Sequence, residues 1–205
     1  MQGEITFLSR ESVREYFQGL VAEARANQHV RVEDPTEGYV VDLLAAFTDA
    51  GRLWTRDEEG NLHLEPLALI LKRALEEGRA GRARELRRLG DVSLYLSGFF
   101  SDHLERRIVD LRYYRDMGHL AYSSLARLLA GRRGSAHARV FAELADQFAP
   151  LVDVLNEVSE RLALSSQQGV LRLYERFLRT GSARLARLLA AQGVAPALVK
   201  PRGLQ

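Results

Sequence analysis

The chain has 205 residues, of which 46% are hydrophobic and 27% are charged, and this composition is ordinary for a globular protein with a substantial core. It contains no cysteine, which excludes disulfide bonds, thiolate metal ligands and cysteine nucleophiles. No apolar stretch approaches the roughly 20 residues of a membrane-spanning helix, and the first residues lack the basic and apolar segments of a secretory signal. We therefore expect a soluble, cytoplasmic protein that does not bind membranes.

The formal net charge is only +2, but the charges are unevenly distributed along the chain. Residues 1–71 carry 6 basic and 13 acidic side chains, whereas residues 72–139 carry 15 basic and 8 acidic ones. Two such regions can attract each other within the fold, pair across a dimer interface or recruit a partner.

Apolar residues recur at helical spacing through most of the chain, and no alternating strand pattern is present. In chain order the pattern predicts helices over about 9–26, 36–54 and 66–77, with a polar loop at 55–65. Pro66 suits the first turn of the third helix and Gly78 its end. A basic helix is predicted next, and Gly90 with Asp91 is typical of a helix stop followed by a new N-cap.

The aromatic segment 89–122, "LGDVSLYLSGFFSDHLERRIVDLRYYRDMGHLAY", is not expected to be one continuous helix. Ser97 and Gly98 are weak helix formers, and Asp110 is a good N-cap for a helix to about residue 130. Ser135 is a plausible cap for a helix over about 136–164, which Pro150 should kink.

The C-terminal part predicts a helical hairpin, in which Gly181 ends one arm and Ser182 caps the other. These patterns together predict an all-α fold, a single compact multi-helix bundle of about eight helices. The predicted domain covers residues 1–195, and residues 196–205 form a C-terminal tail.

The candidate functional residues lie in segment 89–122, where aromatic and charged side chains alternate. One interpretation is an amphipathic helix whose charged edge faces water. The other is a ligand or partner site in which a carboxylate and an arginine point inward beside two tyrosines, because buried ion pairs and buried hydroxyls need polar partners. The candidate ligand or partner site comprises Asp102, Arg106, Asp110, Tyr113, Tyr114 and His119.

Other chemistries have weaker support. No Glu is followed three residues later by His, which excludes a ferritin-like di-iron motif, and we expect no metal, no cofactor and no catalytic residue. Arg132 and His137 have the Arg-x4-His spacing of HEPN-type helical ribonucleases, which also fits a loop arginine and a first-turn histidine. The basic run 72–88 lacks aromatic residues and includes glutamates that can pair with its arginines, so binding to nucleic acid is disfavoured.

The segment "RRLGDVSLYLSGFFSDHLERRIVDLRYYRDMGHLAYSSLA", with "EGYVVDLLAAF" and "EPLALILKRAL" before it, resembles a group of uncharacterised bacterial proteins. The resemblance covers about residues 36–130. It implies a bacterial, cytoplasmic, helical protein and brings no activity or catalytic residue with it.

Our leading hypothesis is a non-enzymatic interaction or adaptor protein whose partner is another protein or a second copy of itself, as in a homodimer. The alternative is a small-molecule-binding protein or enzyme that uses a pocket around residues 106–119. A nucleic-acid binder or HEPN-like ribonuclease is the third hypothesis.

Overall fold

The computed structural model describes residues 10–48, 54–56, 62–100, 111–131, 135–163, 173–177 and 180–191. Helices dominate these residues, which confirms the predicted all-α class. Residues 173–177 are helical as well. In chain order the named elements are α1 Arg10–Asn27, α2 Asp34–Phe47, β1 Trp54–Arg56, β2 Leu62–Leu64, α3 Leu67–Glu76, α4 Arg79–Phe99, α5 Leu111–Leu129, α6 Ala136–Asp146, α7 Phe148–Ala163 and α8 Ala183–Ala191.

A small β-hairpin stands where the sequence predicted the end of a helix and a loop. Strands β1 and β2 pair antiparallel, with Trp54 opposite Leu64 and Arg56 opposite Leu62. Strands of three residues are too short to show an alternating pattern in a sequence, so the expectation of no strand misses this hairpin.

Helix α4 runs without interruption through Gly90 and Asp91, where the sequence predicted a stop and a new cap. That prediction is wrong because both residues contact neighbouring helices. A Cβ at Gly90 would overlap the ring of Tyr122 on α5, and the Asp91 side chain accepts hydrogen bonds from tyrosine hydroxyls. Gly98 also lies within α4, where a Cβ would overlap Leu155 of α7.

The long kinked helix predicted over 136–164 is two helices. Helix α6 ends at Asp146, and Gln147 leaves the helical conformation with φ −97° and ψ 16° before α7 begins at Phe148. Pro150 therefore lies in the first turn of α7, where its missing N–H has no intrahelical partner to lose. The proline starts a helix here and does not kink one.

Three predicted helix ends are confirmed by their hydrogen bonds. The Ser135 hydroxyl accepts a hydrogen bond from the Ala138 N–H at 3.1 Å and caps α6. Gly181 has a positive φ of 63°, and its N–H donates to the Phe177 carbonyl at 2.8 Å, which ends the preceding helical segment. The Ser182 hydroxyl lies 3.5 Å from the Leu185 nitrogen at the start of α8.

The contacts divide the chain into two compact units, Met1–Asn156 and Glu157–Gln205. In the first unit α4 packs against α3 and α5, α5 packs against α6, and α1 packs against α2. Its core cluster on α3, α4 and α5 consists of Leu67, Ile70, Leu89, Val92, Leu96 and Ala121. The single domain over residues 1–195 stays a prediction.

The second unit has a hydrophobic cluster of its own, which joins residues 173–177 to α8 and so forms the predicted C-terminal hairpin. Its buried members are Leu173, Phe177, Leu185 and Leu189. Among the helices that the structure describes, none is both long enough and apolar enough to cross a membrane.

Candidate functional site

Half of the predicted site residues can be placed. Asp102, Arg106 and Asp110 lie outside the described residues. Tyr113, Tyr114 and His119 lie on α5. The predicted pairing of an inward carboxylate with an arginine therefore stays a prediction.

Tyr113 lines an open groove between α3 and α5, which we call the α3–α5 groove. Its volume is about 420 Å³. The α3 side recurs at one-turn spacing, so a single face of that helix forms one wall. The lining residues are Ala68, Leu71, Lys72, Leu75, Glu76, Tyr113 and Met117.

Large apolar side chains that face water concentrate on the two helices of this groove. Among the described residues, four of the six exposed large apolar side chains belong to α3 or α5. Leu75 is 65% exposed and Leu69 is 49% exposed on α3, while Leu120 is 42% and Tyr113 is 37% exposed on α5. Leu75 and Tyr113 line the groove itself, whereas Leu69 and Leu120 lie outside its lining.

The other two described residues of the predicted site do not join Tyr113 in the groove. Tyr114 is half-buried and packs against the core cluster of α3, α4 and α5, with its ring 5.6 Å from that of Tyr113 in an edge-on arrangement. His119 is exposed. The aromatic pair thus divides into one core residue and one surface residue, as two adjacent residues on a helix must.

Each helix of the groove carries an exposed ion pair. On α3, Lys72 Nζ lies 3.8 Å from Glu76 Oε1, with 68% and 63% of the side chains exposed. On α5, Arg112 Nε lies 3.7 Å from Asp116 Oδ2, with 85% and 72% exposed. Exposed pairs four residues apart contribute little to stability, about 0.3–0.5 kcal/mol each.

A second notable arrangement is a half-buried polar cluster around Asp91 on α4, which the sequence did not identify. The Asp91 Oδ1 atom accepts hydrogen bonds from the hydroxyl of Tyr39 on α2 at 2.6 Å and of Tyr122 on α5 at 2.8 Å. Arg87 Nε donates to the Tyr39 hydroxyl at 2.9 Å and lies 3.7 Å from Asp91 Oδ2. The cluster therefore joins three helices through one carboxylate.

Burial dominates the electrostatics of this cluster. It raises the pKa of Asp91 to about 6, although the two tyrosine hydroxyls and Arg87 favour the charged carboxylate. Burial, and then the negative charge of Asp91, also raise the pKa values of Tyr39 and Tyr122, so both phenols stay protonated as donors. Phe141 of α6 packs on both tyrosine rings, with centroids 5.3 Å and 5.9 Å away. The arrangement holds helices together and presents no nucleophile.

The basic run 72–88 is occupied by interactions within the chain. The guanidinium of Arg73 is bound by Glu65, and this hydrogen bond is the main reason that its pKa is raised. Each of the seven cations has a partner: Lys72 with Glu76, Arg73 with Glu65 and Glu85, Arg79 with the Leu128 carbonyl, Arg82 with the Ala74 and Leu75 carbonyls, Arg84 with Glu77 and Glu85, Arg87 with Tyr39 and Asp91, and Arg88 with Glu65.

The described residues give no support to the two other candidates, the HEPN-type ribonuclease motif and a metal site. Arg132 lies outside them, while His137 is an exposed residue in the first turn of α6, two positions after the Ser135 cap. In the part of the chain that the structure describes, no three His, Asp or Glu side chains come together as metal ligands would.

Comparison of this chain with protein-family models, with curated proteins and with solved structures found no match.

Proposed function

We propose that the chain is a non-enzymatic helical interaction protein that forms a homodimer through the exposed apolar face of α3 and α5. The observation that carries the proposal is the number of exposed large apolar side chains on α3 and α5, two of which, Leu75 and Tyr113, line the α3–α5 groove, with Leu75 65% exposed. Removing apolar surface from water contributes about 25 cal/mol per Å², so covering this face with another apolar face drives association.

The form of the groove favours a protein partner over a small ligand. Small-molecule sites bury most of their ligand and offer several convergent polar groups. Here the groove is open, and the two charged residues that line it, Lys72 and Glu76, pair with each other. The engagement of every cation in the run 72–88 likewise supports a protein partner over nucleic acid.

Small-molecule binding at the same groove is the second candidate. A volume of about 420 Å³ lies within the range of known ligand sites, and the Tyr113 ring and the Met117 thioether offer apolar contacts to a planar group. Native mass spectrometry of freshly purified protein separates the two candidates. A monomer with a reproducible small adduct supports the ligand site, and a dimer without one supports the interaction protein.

The direct test is sedimentation velocity of the wild type and of Leu75→Lys. Leu75 lies in the last turn of α3, where a lysine suits the helix C-terminus, so the fold should survive the substitution. We expect a wild-type dimer and a dimer at least about tenfold weaker for Leu75→Lys. Leu75→Met keeps an apolar side chain and should leave the dimer unchanged. A wild type that stays monomeric up to about 100 μM would refute the proposal.

A further inference from the structure

A second groove differs from the α3–α5 groove in the kind of side chain that lines it. It lies between the turn that follows α1 and the start of α7, and we call it the α1–α7 groove. Its volume is about 430 Å³, and five of its seven lining residues are polar or charged. All seven belong to the unit Met1–Asn156. The lining residues are Gln28, His29, Val30, Arg31, Gln147, Pro150 and Asp153.

The histidine of this groove occupies a position that suits glycine better. The Val30 N–H donates a hydrogen bond to the Arg25 carbonyl at 3.0 Å, and the His29 N–H donates one at 3.2 Å to the carbonyl of Ala26. These two bonds form the Schellman arrangement that ends a helix, in which the left-handed residue is usually glycine. His29 takes that conformation with a φ of 55°, and it alone among the described non-glycine residues has a positive φ. Strain of this kind is typical of residues whose side chains have a function.

The turn that carries His29 is held in place by the helices on both sides of it. Arg25 of α1 donates a hydrogen bond to the Val32 carbonyl at 3.1 Å. Glu143 of α6 accepts a hydrogen bond from the Glu33 N–H at 2.9 Å. This wall of the groove is therefore formed before a ligand binds, and less conformational entropy is lost on binding.

Three polar side chains of the groove are available to a ligand. No described residue makes a hydrogen bond or an ion pair with the side chains of His29, Arg31 or Gln147. Arg31 is a permanent cation, and a guanidinium can bind a carboxylate or a phosphate through two parallel hydrogen bonds. The imidazole of His29 offers a further N–H donor. The turn side of the groove therefore favours an anionic group.

The far wall offers acceptors and an apolar surface. Gln147, Pro150 and Asp153 follow one another at a spacing of three, so they share one face at the start of α7. The charge of Asp153 is offset by α5, where Arg115 Nη2 lies 3.7 Å from Asp153 Oδ1. Carboxylate and amide oxygens accept hydrogen bonds from hydroxyl groups, and the proline ring can pack on the C–H face of a sugar.

We propose that the α1–α7 groove binds a small polyhydroxylated anion, either a sugar phosphate or a sugar acid. Its anionic group binds Arg31 and His29, and its hydroxyl groups bind Gln147 and Asp153. A volume of about 430 Å³ lies within the range of known ligand sites and accommodates a molecule of this size. The site is independent of the proposed homodimer, because no residue lines both grooves.

Isothermal titration calorimetry with four probes tests the ligand class. Glucose 6-phosphate and gluconate carry both an anionic group and hydroxyl groups, whereas glucose lacks the anion and inorganic phosphate lacks the sugar. At least one of the first two should bind about tenfold more tightly than both glucose and inorganic phosphate. The tighter of the two distinguishes a phosphate ligand from a carboxylate ligand. If neither binds, or if neither binds more tightly than glucose and inorganic phosphate, the proposal is wrong.

Three variants test the residues of the site. Arg31→Gln should bind the tighter probe at least about tenfold more weakly. Arg139→Gln makes the same change in charge at an exposed arginine of α6 outside the groove and should bind as the wild type does. His29→Gly should bind about threefold more weakly although it unfolds at higher urea, because glycine relieves the strain but removes a hydrogen-bond donor. Equal weakening by Arg31→Gln and Arg139→Gln, or undiminished binding by His29→Gly, would overturn the proposal.

Discussion

Replacement of Asp91 by asparagine tests how a half-buried carboxylate affects the stability of the first unit. In the Asp91→Asn variant the side chain keeps its size, and the amide carbonyl oxygen accepts hydrogen bonds from Tyr39 and Tyr122 as Oδ1 of the aspartate does. The substitution removes the negative charge, whose desolvation is the largest influence on this residue. We expect the wild type to gain stability as the pH is lowered towards 5, and Asp91→Asn to lack this gain.

The direction follows from the raised pKa. Asp91 has a pKa of about 6 in the folded chain, against about 3.9 for an unfolded aspartate, so the folded state binds the proton more tightly. The resulting stabilisation is fully present below about pH 4 and is lost as the pH rises through about 6. Between about pH 7.5 and about pH 5, the folded chain gains about 1.3 kcal/mol from this residue. Asp91→Asn cannot show this gain.

Urea unfolding at the two pH values measures the effect. Far-ultraviolet circular dichroism follows the helices, three of which meet at Asp91, so its transition reports their unfolding. The wild type should become more stable relative to Asp91→Asn by about 1.3 kcal/mol on going to the lower pH. Tyr122→Phe removes a hydrogen bond that favours the carboxylate, so it should raise the pKa of Asp91 further and shift the effect to higher pH. Equal pH dependence of the wild type and Asp91→Asn would refute the reasoning.

Two further predictions concern backbone positions, and urea unfolding checks both. Gly118→Ala should lower the free energy of unfolding by about 1–3 kcal/mol because the new methyl group would overlap the Phe148 ring. The control is Gly19→Ala, at an exposed position of α1 with no atom within 4 Å of the new methyl group. It should raise the free energy of unfolding by about 0.5–1 kcal/mol. His29→Gly should raise the free energy of unfolding by about 1 kcal/mol because His29 follows α1 with a φ of 55°, a conformation that glycine adopts without strain. His29→Ala should bring no such gain. An equal gain for both variants would contradict this explanation.

Helix ends were predictable from the sequence where the stabilising hydrogen bond is local. The caps at Ser135 and Ser182 and the stop at Gly181 each depend on atoms within four residues, and the structure has all three. A short polar side chain before an apolar run, or a glycine after one, is sufficient evidence for such a contact.

The helix stop was predicted wrongly at Gly90 and Asp91 because a glycine and an aspartate can also contact residues that are distant in the sequence. Gly90 and Asp91 are as typical of a helix stop as of a close helix crossing, and the choice depends on Tyr39 and Tyr122, which are far away in the sequence. No local pattern reveals that those tyrosines face Asp91. The half-buried cluster was therefore missed as a site, although an aspartate that directly precedes the apolar run 92–96 is the signal that could have suggested it.

The candidate site predicted from segment 89–122 stays a prediction. Of its described members Tyr113, Tyr114 and His119, Tyr113 alone lines the α3–α5 groove. The opposite wall comes from α3, which the sequence treated as an ordinary amphipathic helix. Its placement beside α5 depends on the packing of both helices against α4.

The packing of α4 holds the two walls of the proposed contact surface in place. Because α3 and α5 both pack against α4, the width of the groove between them is set by the α4 contacts. Those contacts are close on the α5 side, where Gly90 accommodates the Tyr122 ring and Gly118 lies against Ser93 of α4. Asp91 fixes the same pair of helices through the Tyr122 hydroxyl. A face held in this way loses little conformational entropy when it is covered, so its exposed leucines can contribute most of their burial energy to association.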